Sequence, residues 1–242
     1  LLRAEGIAVH AAVAPSETRV FVAVREHDTG RSLLLNPRGP ACGSAEEDAL
    51  LRAVARTAAN GGWVVSSGSV PPGFGVDFHA RVRDVALTTG ARVVVDSDGR
   101  GLREAAPGCA LLAPNVPEAE RLLDRRIAGV RDAASAARAL LSSGARHAAI
   151  TMGAEGAVLT SADAPEVFHA QAPDAPRGAS AVGAGDAFLA ALLLRLDVAP
   201  ARDALRYAVA AGTAVLYGEG AELLRAEIVD RLLPSINAEE AG

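Results

Sequence analysis

The pattern of hydrophobic and polar positions alternates between two periods along most of the chain. Short apolar runs rich in β-branched residues, such as Trp63 to Val65 and Arg92 to Val95, are typical of buried strands. Longer segments between such runs carry apolar residues at helical spacing, as in Val76 to Thr89 and Asp132 to Ser142. This alternation predicts an α/β fold, in which a mainly parallel sheet is covered by helices on both faces.

The two ends of the chain depart from this alternation. Thr18 to Arg25 and Arg31 to Leu35 read as short strands, and the turn residues His27 to Gly30 between them predict a β-hairpin. The Ala-rich tail Ala238 to Gly242 is expected to be disordered.

Candidate chemistry is expected in the loops that follow the strands, because ligands of open α/β sheets bind beyond the carboxyl ends of the strands. Gly, Asp, Asn and Ser concentrate in these loops. They comprise residues 66–75, 96–99, 114–118, 152–156 and 180–186.

The segment Ser180 to Phe188 places two glycines just before a predicted apolar helix. Gly183 and Gly185 allow successive backbone N–H groups to point at one spot, and a helix start adds positive potential there. Such an anion hole suits a transferring phosphoryl group, and Asp186 at its edge is placed to accept a proton from an attacking hydroxyl. The alternative is a tight turn in which Asp186 is only the N-cap of the helix.

Two further loops carry weaker signals. The glycines of Met152 to Gly156 allow a flat ligand or a phosphate to approach the backbone, although an ordinary β-turn has the same composition. Asn115 and Glu118 have the spacing of a capping box at a helix start. The alternative for this pair is a magnesium site bound through water, since Mg²⁺ usually keeps several of its waters.

Hydroxyl side chains gather in Ser66 to Gly73 (SSGSVPPG) at the end of a predicted strand. This loop suits a polyhydroxylated ligand, and the double proline stiffens its exit. Arg19, at the start of the hairpin, is able to bind a phosphate in a bidentate way, but an edge-strand Arg is usually just solvated.

Composition and charge narrow the class of protein. The 242-residue chain is 50% hydrophobic and has a net charge of −5, which argues against nucleic acid or an anionic membrane as its partner. All 24 basic residues are Arg, so phosphate must be bound by Arg, backbone N–H groups or helix starts. Cys42 and Cys109 match no metal or redox spacing, and the five His are read as structural. A reduced, cytoplasmic setting is expected.

Taken in order, these motifs resemble the PfkB (ribokinase-like) carbohydrate kinases. The matching segments are ETR followed by VFVAV, SGSVPPG, VVVDSDG, PNVPEAE, MGAEGAV and AVGAGDAF. Gly183 to Asp186 carries the superfamily signature, while SGSVPPG points to the phosphosugar branch that contains 1-phosphofructokinase and tagatose-6-phosphate kinase. The resemblance implies a ribokinase-like three-layer αβα sandwich with a small β lid.

The resemblance also implies a role for each candidate residue. Asp186 would be the catalytic base, and the backbone of Gly183, Ala184 and Gly185 would stabilise the transferring phosphoryl group. The remaining assignments are Thr151, Gly153, Glu155, Gly156, Gly218 and Gly220 for the nucleotide, Arg19, Ser67, Gly68 and Ser69 for the sugar phosphate, and Asn115 and Glu118 for Mg²⁺ through water.

The implied activity is an ATP- and Mg²⁺-dependent kinase that phosphorylates a hydroxyl of a phosphorylated ketohexose. Conversion of fructose 1-phosphate to fructose 1,6-bisphosphate is the leading reaction. Two alternatives stay open: an N-terminally truncated, catalytically inactive nucleotide-binding remnant, and a kinase for an unphosphorylated sugar or a nucleoside. The expected partners are ATP and a sugar phosphate, without nucleic acid or membrane, and a homodimer is compatible with the resemblance.

The resemblance divides the chain into four parts. Residues 1–17 would be a remnant of the N-terminal part of the core, 18–40 the lid hairpin, 41–237 the nucleotide-binding and catalytic core, and 238–242 the disordered tail. The chain begins with Leu1 and lacks the Asp and the Gly-rich loop with which the family pattern starts, so an incomplete sugar site is expected.

Overall fold

The computed structural model describes residues 2–26, 32–176, 179–218 and 224–242, and it confirms the predicted alternation of strands and helices. In chain order the elements are β1 (Val22–Arg25), β2 (Ser32–Leu35), α1 (Ser44–Thr57), β3 (Trp63–Ser67), α2 (Phe78–Thr88), β4 (Arg92–Asp96), α3 (Gly99–Ala105), β5 (Leu111–Leu112), α4 (Val116–Leu123), α5 (Val130–Leu141), β6 (His147–Thr151), β7 (Ala157–Ser161), β8 (Ala164–Ala170), α6 (Ala184–Leu196), α7 (Ala201–Ala214), α8 (Ala226–Leu232) and β9 (Ala238–Glu240). Short 3₁₀ turns occupy Leu2–Glu5, Gly153–Glu155, Val215–Tyr217 and Leu233–Ser235.

Within the described residues, the main sheet has seven strands in the order β3-β4-β5-β6-β7-β8-β9. Neighbours from β3 to β6 are parallel, because helices connect these strands and bring the chain back to the same end of the sheet. Neighbours from β6 to β9 are antiparallel. The sheet is therefore mixed, with a parallel half that carries the loops after β3, β4, β5 and β6.

Two layers of helices bury the two faces of this sheet. Val93 and Val95 of β4 pack in the core shared with α2, α3, α4 and α5, while Val94 packs in the core shared with α6, α7 and α8. All three valines are essentially inaccessible to solvent. The predicted three-layer sandwich is confirmed, and its two cores follow from the two-residue period of buried strands.

The C-terminal tail is ordered, so the prediction of disorder for Ala238 to Gly242 is wrong. Residues 238–240 form β9, which pairs with the last residues of β8, and the Ala241 N–H donates to the Val167 carbonyl at 2.7 Å. Without the tail, backbone N–H and C=O groups at the edge of β8 would have no hydrogen-bond partners. The tail provides those partners. Ala238 and Ala241 are small enough to be buried there.

The first two strands form a separate antiparallel sheet. Val22 lies opposite Leu35 and Val24 opposite Leu33, and all four side chains are about half exposed. The predicted turn His27 to Gly30 lies outside the described residues, and the assignment of the hairpin as a lid stays a prediction. In the described part of the chain, no helix combines the length and the apolar character that a membrane crossing requires.

Candidate functional site

A cavity of about 810 Å³ opens beyond the carboxyl ends of β5 and β6. It collects predicted site residues that are up to 70 positions apart in the sequence, because parallel strands end at the same edge of a sheet. The predicted residues that line it are Asn115, Thr151, Gly153, Glu155, Gly156, Ala184 and Gly185.

The start of α6 forms one wall of this cavity. Gly183 is its N-cap and has φ +84°, a left-handed conformation that a glycine adopts without strain. The backbone N–H groups of Gly185 and Asp186 find no acceptor among the residues that the structure describes. Free donors at the positive end of a 13-residue helix are suited to an anion.

Asp186 is the third residue of α6, so the alternative in which it merely caps the helix is wrong. Its side chain is exposed and makes no hydrogen bond or ion pair with any other described residue. Ala184 and Gly185 line the cavity. Gly183 and Asp186, on either side of them in the sequence, do not line it themselves. The carboxylate is thus beside the free N–H groups and available to accept a proton.

The turn after β6 forms a second wall. Thr151 bridges to Asn115 across the end of the sheet, and the Met152 N–H closes the turn on the Gly156 carbonyl at 2.8 Å. Gly153 and Gly156 both have positive φ. A Cβ built on Gly156 would lie 1.8 Å from the Ala170 carbonyl oxygen, which explains why glycine is required there.

The side chains of His169, near the end of β8, and Gln171, just after it, hold this turn in place. A ring nitrogen of His169 lies 2.7 Å from the Glu155 carbonyl oxygen, and the Gln171 amide donates to the Ala154 carbonyl at 2.6 Å. The exposed peptide edge facing the cavity is therefore fixed from behind.

Asn115 and Glu118 form the capping box of α4. The Glu118 N–H donates to Asn115 Oδ1 at 3.0 Å, and the Asn115 N–H donates to Glu118 Oε2 at 2.9 Å. Sequence spacing thus predicted the local geometry correctly, and the magnesium role of the pair stays a prediction.

A water-mediated cation fits the same pair. In the described residues, no group of three or more His, Cys, Asp or Glu side chains is arranged to hold a metal ion directly. Burial raises the pKa of Glu118, the hydrogen bonds with Asn115 oppose this rise, and the carboxylates of Asp96 and Asp98 add to it. A hydrated Mg²⁺ would offset this concentration of negative charge, with Asn115 and Glu118 accepting hydrogen bonds from its waters.

The residues assigned to the sugar phosphate separate into two places. Arg19 and Ser69 line a cavity of about 230 Å³ together with Thr18 and Cys42. Ser67 and Gly68 do not line it; they are exposed at the end of β3, where the Ser67 hydroxyl donates to Asp96 Oδ2 at 2.9 Å. Only half of this predicted set is brought to one cavity.

Comparison with known proteins decides the family. The sequence model of the pfkB family carbohydrate kinases matches residues 1–226 of this chain. This chain belongs to that family. The ribokinase-like fold inferred from the sequence is confirmed by Phosphofructokinase-2 from Escherichia coli, solved in complex with substrates and products. That structure superposes with a TM-score of 0.88 at 28% identity, covering 97% of this chain and 76% of the other.

Two of the relatives bear different names. The 1-phosphofructokinase of Rhodobacter capsulatus is 37% identical over 191 residues, which cover 76% of this chain and 60% of the relative. The ATP-dependent 6-phosphofructokinase isozyme 2 of Mycobacterium tuberculosis is 29% identical over 218 residues, which cover 89% of this chain and 63% of the relative. This PfkB chain thus spans 60–63% of the length of these two relatives.

Sequence reasoning missed three groups of residues around the larger cavity of this PfkB protein. One is the loop after β8, and its position after a strand was the available signal. The second precedes α5. The third lies on α6, on α7 and in the 3₁₀ turn after α7, and its helical members have a spacing typical of a buried helix face. The missed lining residues include Gln171, Pro173, Ile127, Gly129, Phe188, Val209, Thr213 and Leu216.

The last two nucleotide assignments are not brought to this cavity. Gly218 follows the 3₁₀ turn that contains Leu216, but it does not itself line the cavity. Gly220 lies outside the described residues. Both assignments stay predictions.

Proposed function

We propose that this protein transfers the γ-phosphoryl group of ATP to a hydroxyl of a phosphorylated ketohexose, with fructose 1-phosphate as the leading acceptor. Membership of the pfkB family supports the class of reaction. The names of two relatives, 1-phosphofructokinase and 6-phosphofructokinase isozyme 2, support a fructose phosphate as the acceptor.

One observation carries the proposal. The cavity joins the glycine turn after β6 to the free N–H groups at the start of α6, with the unpaired Asp186 carboxylate beside them. This arrangement provides a place for a nucleotide, a positive site for the transferred group and a proton acceptor within one short stretch of surface.

The cavity walls suit the two ends of a nucleotide. Ile127, Phe188, Val209 and Leu216 give one region an apolar lining that fits the flat face of a base. The start of α6, at another wall of the same cavity, presents the free backbone N–H groups of Gly185 and Asp186. A nucleotide in this orientation would direct its phosphates toward Gly185.

Asp186 has the proton-accepting role in this proposal. The acceptor hydroxyl loses its proton to the carboxylate as its oxygen attacks the γ-phosphorus, and the bond from the phosphorus to the β-phosphate oxygen breaks. The N–H groups of Gly185 and Asp186 stabilise the negative charge on the transferring oxygens. Mg²⁺, held through water by Asn115 and Glu118, would supply charge neutralisation of the nucleotide phosphates.

The sugar phosphate is assigned to the loop after β3. Arg19 and Ser69 share one cavity, and a guanidinium group binds phosphate oxygens in a bidentate way. Ser67 and Gly68 lie at the strand end next to this cavity and would face the sugar hydroxyls.

The decisive experiment compares Asp186→Asn with Asp203→Asn. Asp203 is also the third residue of a helix, α7, but it lies on the surface and pairs with Arg206 at 3.3 Å. We expect Asp186→Asn to lower turnover by about 10²–10⁴-fold, because general base catalysis contributes that much, while ATP affinity stays within about threefold. Asp203→Asn should match the wild type.

The assay is ADP release with fructose 1-phosphate, fructose 6-phosphate and tagatose 6-phosphate in parallel. A preference for fructose 6-phosphate would change the identity of the acceptor and leave the class of reaction unchanged. ATP binding without ADP release on any sugar phosphate would instead favour the inactive nucleotide-binding remnant. Near-wild-type turnover of Asp186→Asn would overturn the assignment of the base.

A further inference from the structure

A buried histidine lies directly beneath the loop assigned to the sugar phosphate. His79 is the second residue of α2 and is 3% exposed. Its Nδ1 atom shares a 2.8 Å hydrogen bond with the hydroxyl of Ser66, which is 8% exposed in β3. The pair thus joins the helix to the strand at the point where the strand ends.

The rest of the ring is tightly enclosed. A Cβ built on Gly101 would lie 3.1 Å from Cδ2 of His79, closer than side chains normally approach. On the helix side, the Phe78 ring meets the imidazole edge with 5.8 Å between centroids. The ring therefore has little freedom to move away from Ser66 without displacing its neighbours.

Nε2 of His79 is buried and has no hydrogen-bond partner among the described residues. Burial lowers the pKa of His79, and the Gly68 carbonyl and the Asp96 carboxylate oppose this to a smaller extent. A neutral ring with an unpaired buried nitrogen is costly to keep.

The last two residues of β3 and the residue that follows them are each held by a hydrogen bond. The Ser66 hydroxyl is held by His79, the Ser67 hydroxyl donates to Asp96 Oδ2 at 2.9 Å, and the Gly68 N–H donates to the Asp96 carbonyl at 2.9 Å. The loop continues at once to Ser69, which lines the cavity that also contains Arg19. A shift of Ser66 would consequently be transmitted to the groups that face the sugar phosphate.

We propose that His79 is a positioning residue for the sugar-phosphate loop, acting through the hydroxyl of Ser66. This inference rests on the proposed function, because it assigns the loop to the acceptor sugar. His79 does not reach the cavity itself and touches no reacting atom. Its effect is on the binding of the sugar phosphate and not on the binding of the nucleotide, whose cavity lies at the ends of β5 and β6.

Three variants of the full chain test this role. His79→Phe keeps a ring and loses the hydrogen bond, Ser66→Ala loses the same bond from the other side, and His79→Asn keeps a polar atom at the position of Nδ1. We expect His79→Phe and Ser66→Ala each to raise KM for the sugar phosphate about fivefold, the effect of one net hydrogen bond. KM for ATP should stay within about twofold.

The double variant and His79→Asn separate positioning from general loss of stability. Combining His79→Phe with Ser66→Ala should raise KM no further than either change alone, because both remove one interaction. His79→Asn should restore KM to within about twofold of the wild type. A parallel rise of both KM values, or no rise in either, would overturn the proposal.

A second His–Ser pair provides the matched control. Nδ1 of His147 lies 2.7 Å from the Ser161 hydroxyl, at the start of β6 and away from the strand-end loops. His147→Phe should leave both KM values unchanged. If it raises KM for the sugar phosphate as much as His79→Phe does, the effect is not specific to the loop.

Amide hydrogen exchange tests the positioning separately from turnover. We expect exchange at residues 66–75 to be about fivefold faster in His79→Phe and Ser66→Ala than in the wild type, and unchanged in His147→Phe. If the wild-type protein shows no turnover, the proposed function is contradicted. Hydrogen exchange at residues 66–75 still decides whether His79 positions the loop. Unchanged exchange at residues 66–75 in both variants would contradict the positioning itself.

Discussion

Asn115 and Glu118 occupy a helix start and a candidate metal site at the same time. Their reciprocal hydrogen bonds satisfy two backbone donors of the α4 start. The bond from the Asn115 N–H uses Oε2 of Glu118, and a carboxylate has further lone pairs, so the pair can cap the helix and still accept bonds from a hydrated ion. Individual substitutions are able to separate these two roles.

The variant Glu118→Gln keeps the cap and removes the charge. Because Gln also serves in a capping box, its free energy of unfolding should stay within about 0.5 kcal/mol of the wild type. The Mg²⁺ concentration needed for half-maximal ADP release should rise about tenfold, since a carboxylate binds waters of Mg²⁺ better than an amide does.

Glu118→Ala is the control for this comparison. It should lower the free energy of unfolding by about 0.5–1 kcal/mol, because the Asn115 N–H loses its partner, and it should raise the Mg²⁺ requirement as well. Thermal unfolding and Mg²⁺ titration of turnover measure the two effects. An unchanged Mg²⁺ requirement in Glu118→Gln would leave only the capping role.

The turn between β6 and β7 is an element whose shape depends on backbone contacts. Gly156 faces the end of β8 so closely that no side chain fits, while Gly153 points into open space. Both have positive φ, of +81° and +60°. The nucleotide wall therefore depends on β8, an element that follows the turn in sequence and covers it from behind.

Alanine at these two glycines should have different effects. Gly156→Ala is expected to lower the free energy of unfolding by about 3 kcal/mol or more, because the new Cβ meets the Ala170 carbonyl and the conformation is strained. Gly153→Ala should cost only about 1–2 kcal/mol, the price of a left-handed residue alone. Denaturant unfolding monitored by circular dichroism gives both values, and equal losses would contradict the packing explanation.

In the molecule as a whole, one end of the sheet carries the candidate site and the other carries contacts that stabilise the fold. The strand-end loops carry the candidate site, whereas the opposite end is held by contacts of Trp63, Arg92 and Asp197. Arg92 lies 4.0 Å above the Trp63 ring and forms an ion pair with Asp197, and the Trp63 N–H also bonds to Asp197 at 3.3 Å. These contacts tie the end of α6 to the edge of the sheet.

Asp197→Ala should destabilise the fold without affecting the site. The pair is partly exposed, so we expect a loss of about 0.5–1 kcal/mol, together with a red shift of the fluorescence of Trp63, the one Trp of the chain. Asp163→Ala, which breaks the more exposed pair with Arg146, should cost less. Equal losses would show that Asp197 contributes only as a surface charge.

The contribution of Asp197 should depend on pH in one direction. The hydrogen bond from Arg92 lowers the pKa of Asp197, so the folded state holds the proton less tightly than the unfolded state. The stabilisation is therefore fully present above the unfolded pKa of about 4 and is lost as the pH falls through the lower folded value. The difference in unfolding free energy between the wild type and Asp197→Ala should shrink over that range.

Local sequence patterns predicted the parts of this fold that depend on local interactions. The capping box at Asn115 and the glycine turn after β6 form as expected, because adjacent backbone groups determine them. The helix after Gly183 also forms, but it begins at Ala184 and so includes Gly185, which was predicted to precede it. The disordered tail was predicted wrongly, since the partner of Ala238 is β8, about 70 residues earlier in the sequence.

In the candidate site too, the features that depend on local sequence were predicted and those that depend on distant contacts were not. Asp186, Gly185 and Thr151 were identified from motifs whose residue types carry the chemistry. The apolar lining from Phe188 and Val209 was missed, because a helix face that lines a cavity has the same spacing as one that packs in the core. The separation of Ser67 from Ser69 was not visible either. Strand alternation would place both side chains on one face, but β3 ends at Ser67 and Gly68 has φ +87°.

The sequence alone determined the α/β class, the order of the motifs and the residues proposed for phosphoryl transfer, because periodicity and residue chemistry are properties of neighbouring positions. The tertiary structure decided which of these residues meet in one cavity, which strand covers the tail and why His79 is buried beneath the loop of Ser66. Those outcomes depend on contacts between distant segments, and such contacts are fixed only when the layers pack together.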